Sequence, residues 1–65
     1  MKIVLNGEAC EIVATRLDQA LLELGYTNAS IATAVNGTFI PKSQRGDQML
    51  GDGVRIEIVA PMQGG

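Results

Sequence analysis

Histidine and tryptophan are absent from this chain, and cysteine, tyrosine and phenylalanine occur once each. Without histidine there is no Ser-His-Asp triad and no Cys-His pair. One cysteine excludes an internal disulfide, the common structural zinc sites and a four-cysteine iron–sulfur cluster. So few aromatic rings make no stacking platform for bases. Basic residues are also scarce: five Lys and Arg stand against seven Asp and Glu, a net charge of -2. Coating nucleic acid calls for many cations against phosphate, so no nucleic-acid partner is expected. Long apolar runs are missing as well. Ile3-Val4-Leu5 turns polar at Asn6, too short for a signal-peptide core, and nothing approaches a membrane span of roughly 18 apolar residues. A cytoplasmic protein with no membrane partner is the expectation.

What is present is a folding composition. The chain has 65 residues, of which 46% are hydrophobic and 18% charged. That is too apolar for disorder and too short for more than one small domain. Ile3-Val4-Leu5 and the run from Glu8 to Val13 flank Asn6-Gly7, a strong hairpin signal, since both turn residues tolerate positive φ. Alternation turns Ile3, Leu5, Cys10 and Ile12 inward. Thr15 is placed to cap a helix, with acidic Asp18 in its first turn. Leu17, Ala20, Leu21 and Leu24 then share one helical face, and Gly25 suits the position after the helix end.

Ile31 to Asn36 reads as a third strand, followed by the turn signal Asn36-Gly37. Phe39-Ile40 reads as a short fourth strand ended by Pro41. Lys42 to Leu50 is polar and loop-like, with at most one helical turn. After Asp52-Gly53, Val54 to Ala60 alternates clearly, with Val54, Ile56 and Ile58 against Arg55 and Glu57. The order strand, strand, helix, strand, strand, strand predicts an α+β fold of β-grasp topology. Its mixed sheet carries one main helix on one face and pairs the first and last strands in parallel. The expected organisation is one domain over 1–65, with a body of about residues 1–60 and a flexible tail at 61–65.

The tail carries the chemical interest. Pro61 to Gly65 span about 17 Å when extended, at roughly 3.3 Å per residue. Two glycines without side chains thread a channel that admits no other residue. They would bring a bare carboxylate, ionised at neutral pH, to a distant centre. A carboxylate is a poor electrophile until it attacks the α-phosphorus of ATP and becomes an acyl-adenylate. A sulfur or nitrogen nucleophile then displaces AMP. A glycine pair alone is also what a frayed terminus looks like; directly after a final strand in a β-grasp order it carries more weight.

Across its full length the sequence resembles the ubiquitin-like sulfur carrier proteins that serve thiazole formation in thiamine biosynthesis. The resemblance rests on Met1-Lys2-Ile3-Val4-Leu5-Asn6-Gly7-Glu8, on Ala34-Val35-Asn36-Gly37-Thr38-Phe39-Ile40-Pro41, and most specifically on the close from Leu50 to Gly65. It implies that Gly65 is adenylated by a ubiquitin-activating-like adenylyltransferase using ATP with Mg. A persulfide donor then supplies sulfur for a C-terminal thiocarboxylate, and thiazole synthase takes that sulfur. Gly64 is the slim residue that passes the channel beside it. The chain itself would bind no cofactor and no metal and would be a co-substrate rather than an enzyme. Two positions depart from the family: Val54 follows Asp52-Gly53 where a second Asp is common, and Gly46 stands where a bulky residue is common.

Other residues invite a role. Cys10 is expected to be a small buried hydrophobe rather than a sulfur handler. Lys42 and Arg45 are expected to be solvated, the other reading being contact with an acidic partner or with substrate phosphates. Val59 shares the face of Arg55 and Glu57, just before the tail. If Ala32 and Ala34 also point outward, they and Val59 form an apolar patch for partner docking. Two alternatives stand beside the thiazole carrier: the small subunit of molybdopterin synthase, with the same fold and tail, and a β-grasp interaction module whose tail is passive.

Overall fold

The computed structural model describes residues 1–27 and 30–60. Strands β1 (Lys2–Leu5) and β2 (Glu8–Glu11) form the opening hairpin, followed by helix α1 (Leu17–Glu23). Strands β3 (Ala32–Val35) and β4 (Thr38–Ile40) form a second hairpin. A 3-10 helix, Lys42–Asp47, and strand β5 (Arg55–Val59) complete the described elements. Both hairpins turn on Asn-Gly, with φ of 48° and 86° at Asn6 and Gly7 and of 50° and 84° at Asn36 and Gly37. Positive φ at two successive residues matches the right-handed twist of the flanking strands.

The sheet order is β2-β1-β5-β3-β4. β5 enters the centre, parallel to β1 (Val4 beside Arg55, Leu5 beside Ile56) and antiparallel to β3. This is the expected β-grasp arrangement. One sheet face is closed by α1: Leu17, Ala20 and Leu21 pack with Ile3, Ile12, Val35, Ile40, Val54, Ile56 and Ile58. Each buried Leu or Ile contributes about 1.5–3 kcal/mol relative to exposure. Val54 belongs to this core, so the departure after Asp52-Gly53 supplies an apolar anchor at the entry to β5.

Local boundaries differ from the sequence expectation in three places, each for a visible reason. β2 stops at Glu11, although Ile12 still exchanges hydrogen bonds with Met1. The chain then leaves the sheet because the Glu23 carboxylate accepts from the amides of Val13 and Ala14, at 2.8–3.0 Å. The helix cap is Arg16 rather than Thr15, and it makes no side-chain cap bond. Arg16 stays extended because it bridges Met49, with Leu17 donating to the Gln48 carbonyl and Leu50 to the Thr15 carbonyl. The helix ends as expected at Gly25 (φ 90°). The Tyr26 amide donates to Leu21 at 2.8 Å and the Gly25 amide to Leu22 at 3.1 Å, a Schellman closure.

The third difference lies after Pro41. The segment read as a loop with at most one turn is a six-residue 3-10 helix. Pro41, at φ -60°, caps it. Arg45, expected to be solvated, is 8% exposed, and an Nη donates to the Ile31 carbonyl at 2.6 Å. That bond ties the helix to the residue that leads into β3. Sequence periodicity could not show it, because a single buried arginine in a polar run leaves no pattern.

Candidate functional site

The sheet face opposite α1 is uncovered among the described residues. Alternation sets Arg55, Glu57 and Val59 of β5 on it, since Ile56 and Ile58 turn into the core. The neighbouring strand β3 turns Thr33 and Val35 inward and Ala32 and Ala34 outward. Register then builds a patch: Val59 stands opposite Ala32, Glu57 opposite Ala34, and Ala34 opposite Phe39 of β4. Val59 is 64% exposed and Phe39 is 62% exposed. Val59 and Ala32 therefore lie where β5 leaves the sheet, and Ala34 and Phe39 continue the apolar surface two residues further in, at the level of Glu57. Phe39 was missed by the sequence reading. The signal lay in the hairpin register, which turns it outward once Ile40 is recognised as core.

The exit of β5 is held from its other side by Asn6. The Ile58 amide donates to Asn6 Oδ1 at 2.8 Å, and Asn6 Nδ2 donates to the Ile58 carbonyl at 3.3 Å. β1 has ended at Leu5, so this side chain continues the pairing that the backbone no longer supplies. The same residue therefore makes the hairpin turn and aligns the strand leading to Val59. Asn36 acts similarly one strand away, its Oδ1 accepting from the Arg55 amide at 2.9 Å.

Gly64 and Gly65, the residues expected to thread a channel and to be modified, lie outside the described residues. Cys10 is half-buried against the core, as an inward position on the edge strand β2 dictates, rather than fully enclosed. Its Sγ lies 3.8 Å from the Glu11 carbonyl. It sits two strands away from β5 in the sheet order. Lys42 is exposed on the 3-10 helix, on the α1 side of the molecule. Neither it nor Arg45 belongs to the outer patch. Arg45 Nε is buried with no hydrogen-bond partner. An orphan of this kind costs about 1–3 kcal/mol.

No cluster of three or more metal-ligating side chains occurs among the described residues. No helix among them is long and apolar enough to cross a membrane.

The ThiS family model matches residues 3–65 and so runs through the glycine pair. A thiazole synthase from Paramagnetospirillum magneticum is 39% identical over 66 residues, a match that takes in 100% of this chain and 20% of that relative. The chain thus spans a fifth of the length of that protein. Among solved structures, the crystal structure of a thiamine biosynthesis protein (ThiS) from Geobacter metallireducens superposes with a TM-score of 0.85. It is 20% identical, with 100% of both chains covered. The solution structure of a thiamine biosynthesis protein from the same organism gives a TM-score of 0.82, also at 20% identity, covering 100% of this chain and 88% of the other. These two likenesses speak to the fold alone. The family match extends from the first strand to the last glycine, and by it the chain belongs to the ThiS family, the sulfur carriers of thiamine biosynthesis.

Proposed function

We propose that the chain is a protein co-substrate whose Gly65 carboxyl carries sulfur for thiazole formation. The observation that carries the reading is the family match through Gly64-Gly65, a pair separated in the sequence by four residues from a strand locked in the sheet centre. A carboxylate oxygen of Gly65 attacks the α-phosphorus of ATP, held with Mg by a ubiquitin-activating-like adenylyltransferase, and pyrophosphate leaves. Sulfur from a persulfide donor attacks the acyl carbon, and AMP leaves. A thiol then cleaves the remaining S–S bond to free the thiocarboxylate. On thiazole synthase the substrate takes the sulfur in exchange for an oxygen; an oxygen from the substrate carbonyl or from water goes to the acyl carbon, and the carboxylate is regenerated.

This chain supplies the acyl group, its reach and its orientation; the partners supply the catalysis. Val59 and Ala34, with Ala32 and Phe39, form the docking face. Burying such a patch against a partner fixes the direction in which the tail leaves the sheet. Asn6 keeps β5 in register beneath it. Positioning of this kind is what converts a mobile nucleophile into a near-attack one.

The similarity to a chain named thiazole synthase supports thiazole formation over molybdopterin synthesis as the destination. The test is mass spectrometry of the intact protein after incubation with the adenylyltransferase, ATP and a persulfide source. The expected result is one oxygen replaced by sulfur, localised to Gly65. A protein that binds the adenylyltransferase but keeps its mass would be an interaction module with a passive tail.

A further inference from the structure

Two Asn-Gly pairs occupy matching places in the fold, Asn6-Gly7 between β1 and β2 and Asn36-Gly37 between β3 and β4. Asn-Gly is the dipeptide most open to intramolecular deamidation, because glycine lays no side chain in the path of attack. The two turns share nearly the same backbone, with φ of 48° and 86° in one and 50° and 84° in the other, and all four residues are exposed. In an unfolded chain the two sites are close to equivalent. Leu5 precedes one and Val35 the other, and the β-branched Val35 hinders its neighbour more. The folded chain separates them by what each side chain holds.

Asn6 is held at both ends of its amide. Oδ1 accepts from the Ile58 amide at 2.8 Å and Nδ2 donates to the Ile58 carbonyl at 3.3 Å, both bonds being partly buried. Freeing that side chain unpairs the exit of β5. The product also fits badly, since an aspartate has no donor for the Ile58 carbonyl and sets a carboxylate oxygen against it. Asn36 is held by a single exposed bond, its Oδ1 accepting from the Arg55 amide at 2.9 Å. Its Nδ2 has no partner among the described residues. An aspartate at position 36 still accepts from Arg55.

We infer that Asn36 is a site of spontaneous covalent modification in the folded protein, and that Asn6 is protected from the same reaction by its clasp on Ile58. The Gly37 amide nitrogen, on losing its proton, attacks Asn36 Cγ. A C–N bond forms, the Cγ–Nδ2 bond breaks, and the side-chain nitrogen leaves with a proton as ammonia. Water then opens the succinimide. Opening at Cγ gives aspartate. Opening at the main-chain carbonyl breaks the original peptide bond and gives isoaspartate, whose main chain runs through Cβ and Cγ and is one atom longer. The turn between β3 and β4 has two residues, and its length sets the pairing of Ala34 with Phe39. The added backbone atom displaces Phe39, so isoaspartate at position 36 deforms the outer patch. Both steps need only water and a turn already in place, and neither involves the tail.

The test is ageing of the full chain in mildly alkaline buffer, with and without denaturant, followed by brief digestion with trypsin. Asn6 falls in the peptide 3–16 and Asn36 in the peptide 17–42. Mass spectrometry reads the replacement of the amide nitrogen by oxygen, and fragmentation across each site separates aspartate from isoaspartate. In the native chain Asn36 should convert at least about fivefold faster than Asn6, the effect of one further hydrogen bond and a strand exit to release. In denaturant the two rates should be comparable. Asn36→Gly, which keeps the positive φ, should remove the fast conversion and leave the slow one at Asn6. A ¹⁵N spectrum of the aged native chain should gain second peaks for Ala34, Thr38 and Phe39 in proportion to isoaspartate. Native rates that are equal or favour Asn6 would overturn the proposal. So would a preference for Asn36 that persists in denaturant, which would make it a property of the sequence, or an unmoved Phe39 amide in the isoaspartyl chain, which would detach the modification from the patch.

Discussion

Val59 and Ala32 face one another across β5 and β3, on the side of the sheet that α1 leaves open. A β-branched side chain over an alanine makes a smooth apolar step, and Phe39 beyond Ala34 widens it. Val59→Asp places a charge in that step. Surface substitutions usually cost within about 0.5 kcal/mol, so circular dichroism and melting should change little. Adenylation and sulfur transfer should both slow, through a raised KM for the carrier rather than a changed kcat. Phe39→Ser should act in the same direction. Unaltered transfer kinetics in both variants would remove the patch from the interface. An unfolded Val59→Asp protein would contradict the observed strand faces.

Asn6 does two things that substitution can separate. Its φ of 48° suits glycine as well as asparagine, whereas its side-chain bonds to Ile58 belong to asparagine alone. Asn6→Gly should cost about 1–2 kcal/mol, for the two lost hydrogen bonds. Asn6→Ala loses the same bonds and adds the strain of a left-handed conformation, for about 2–4 kcal/mol in all. Thermal melts should rank wild type above Gly above Ala. Equal melting points for the Gly variant and wild type would mean that the side chain does not hold β5.

Much of this was legible in the sequence because it is local. Asn6-Gly7 and Asn36-Gly37 specify their own turns, and the alternation from Val54 to Ile58 specifies which face of β5 is core. With those fixed, the outward position of Val59 follows, as does that of Ala34 once β3 is paired. What escaped depends on residues far apart in the chain. Glu23 ends β2 by reaching Val13 and Ala14, ten and nine positions away. Arg16 loses its helical conformation to a bridge with Met49. Arg45 is buried because the Ile31 carbonyl needs a donor, not because its neighbours are apolar. Phe39 joins the patch through hairpin register alone. The glycine pair was legible as a motif; its role is an inference from chemistry and family.

Cys10 tests where the sulfur resides. It sits on the edge strand β2, half-buried against the core. Cys10→Ser should still form the thiocarboxylate at Gly65, at an unchanged rate. A modest fall in melting temperature is expected, because a hydroxyl turned toward the core needs a partner. A folded serine variant that carries no sulfur would make Cys10 part of the relay.

The tail variants test the carrier mechanism most directly. Removing Gly65, or changing Gly64 to Val, should abolish thiocarboxylate formation while leaving the fold intact. The fold should survive because, among the described residues, the core cluster is complete by Ile58, and neither change touches a residue of that cluster. Activation should fail for two separate reasons. Deleting Gly65 draws the carboxylate back by one residue, about 3.3 Å when extended. Attack on the α-phosphorus needs reacting atoms roughly 3–3.5 Å apart, so that retreat removes the near-attack geometry. Gly64→Val keeps the length but adds a β-branched side chain, which restricts the backbone and widens the segment that must pass the channel. Mass spectrometry after incubation with the adenylyltransferase, ATP and a persulfide should find both variants at their starting mass. Binding to the adenylyltransferase through the Val59 patch should persist in both, which separates docking from chemistry. Normal sulfur loading of the chain lacking Gly65 would place the reactive carboxyl elsewhere and end the mechanism proposed for it.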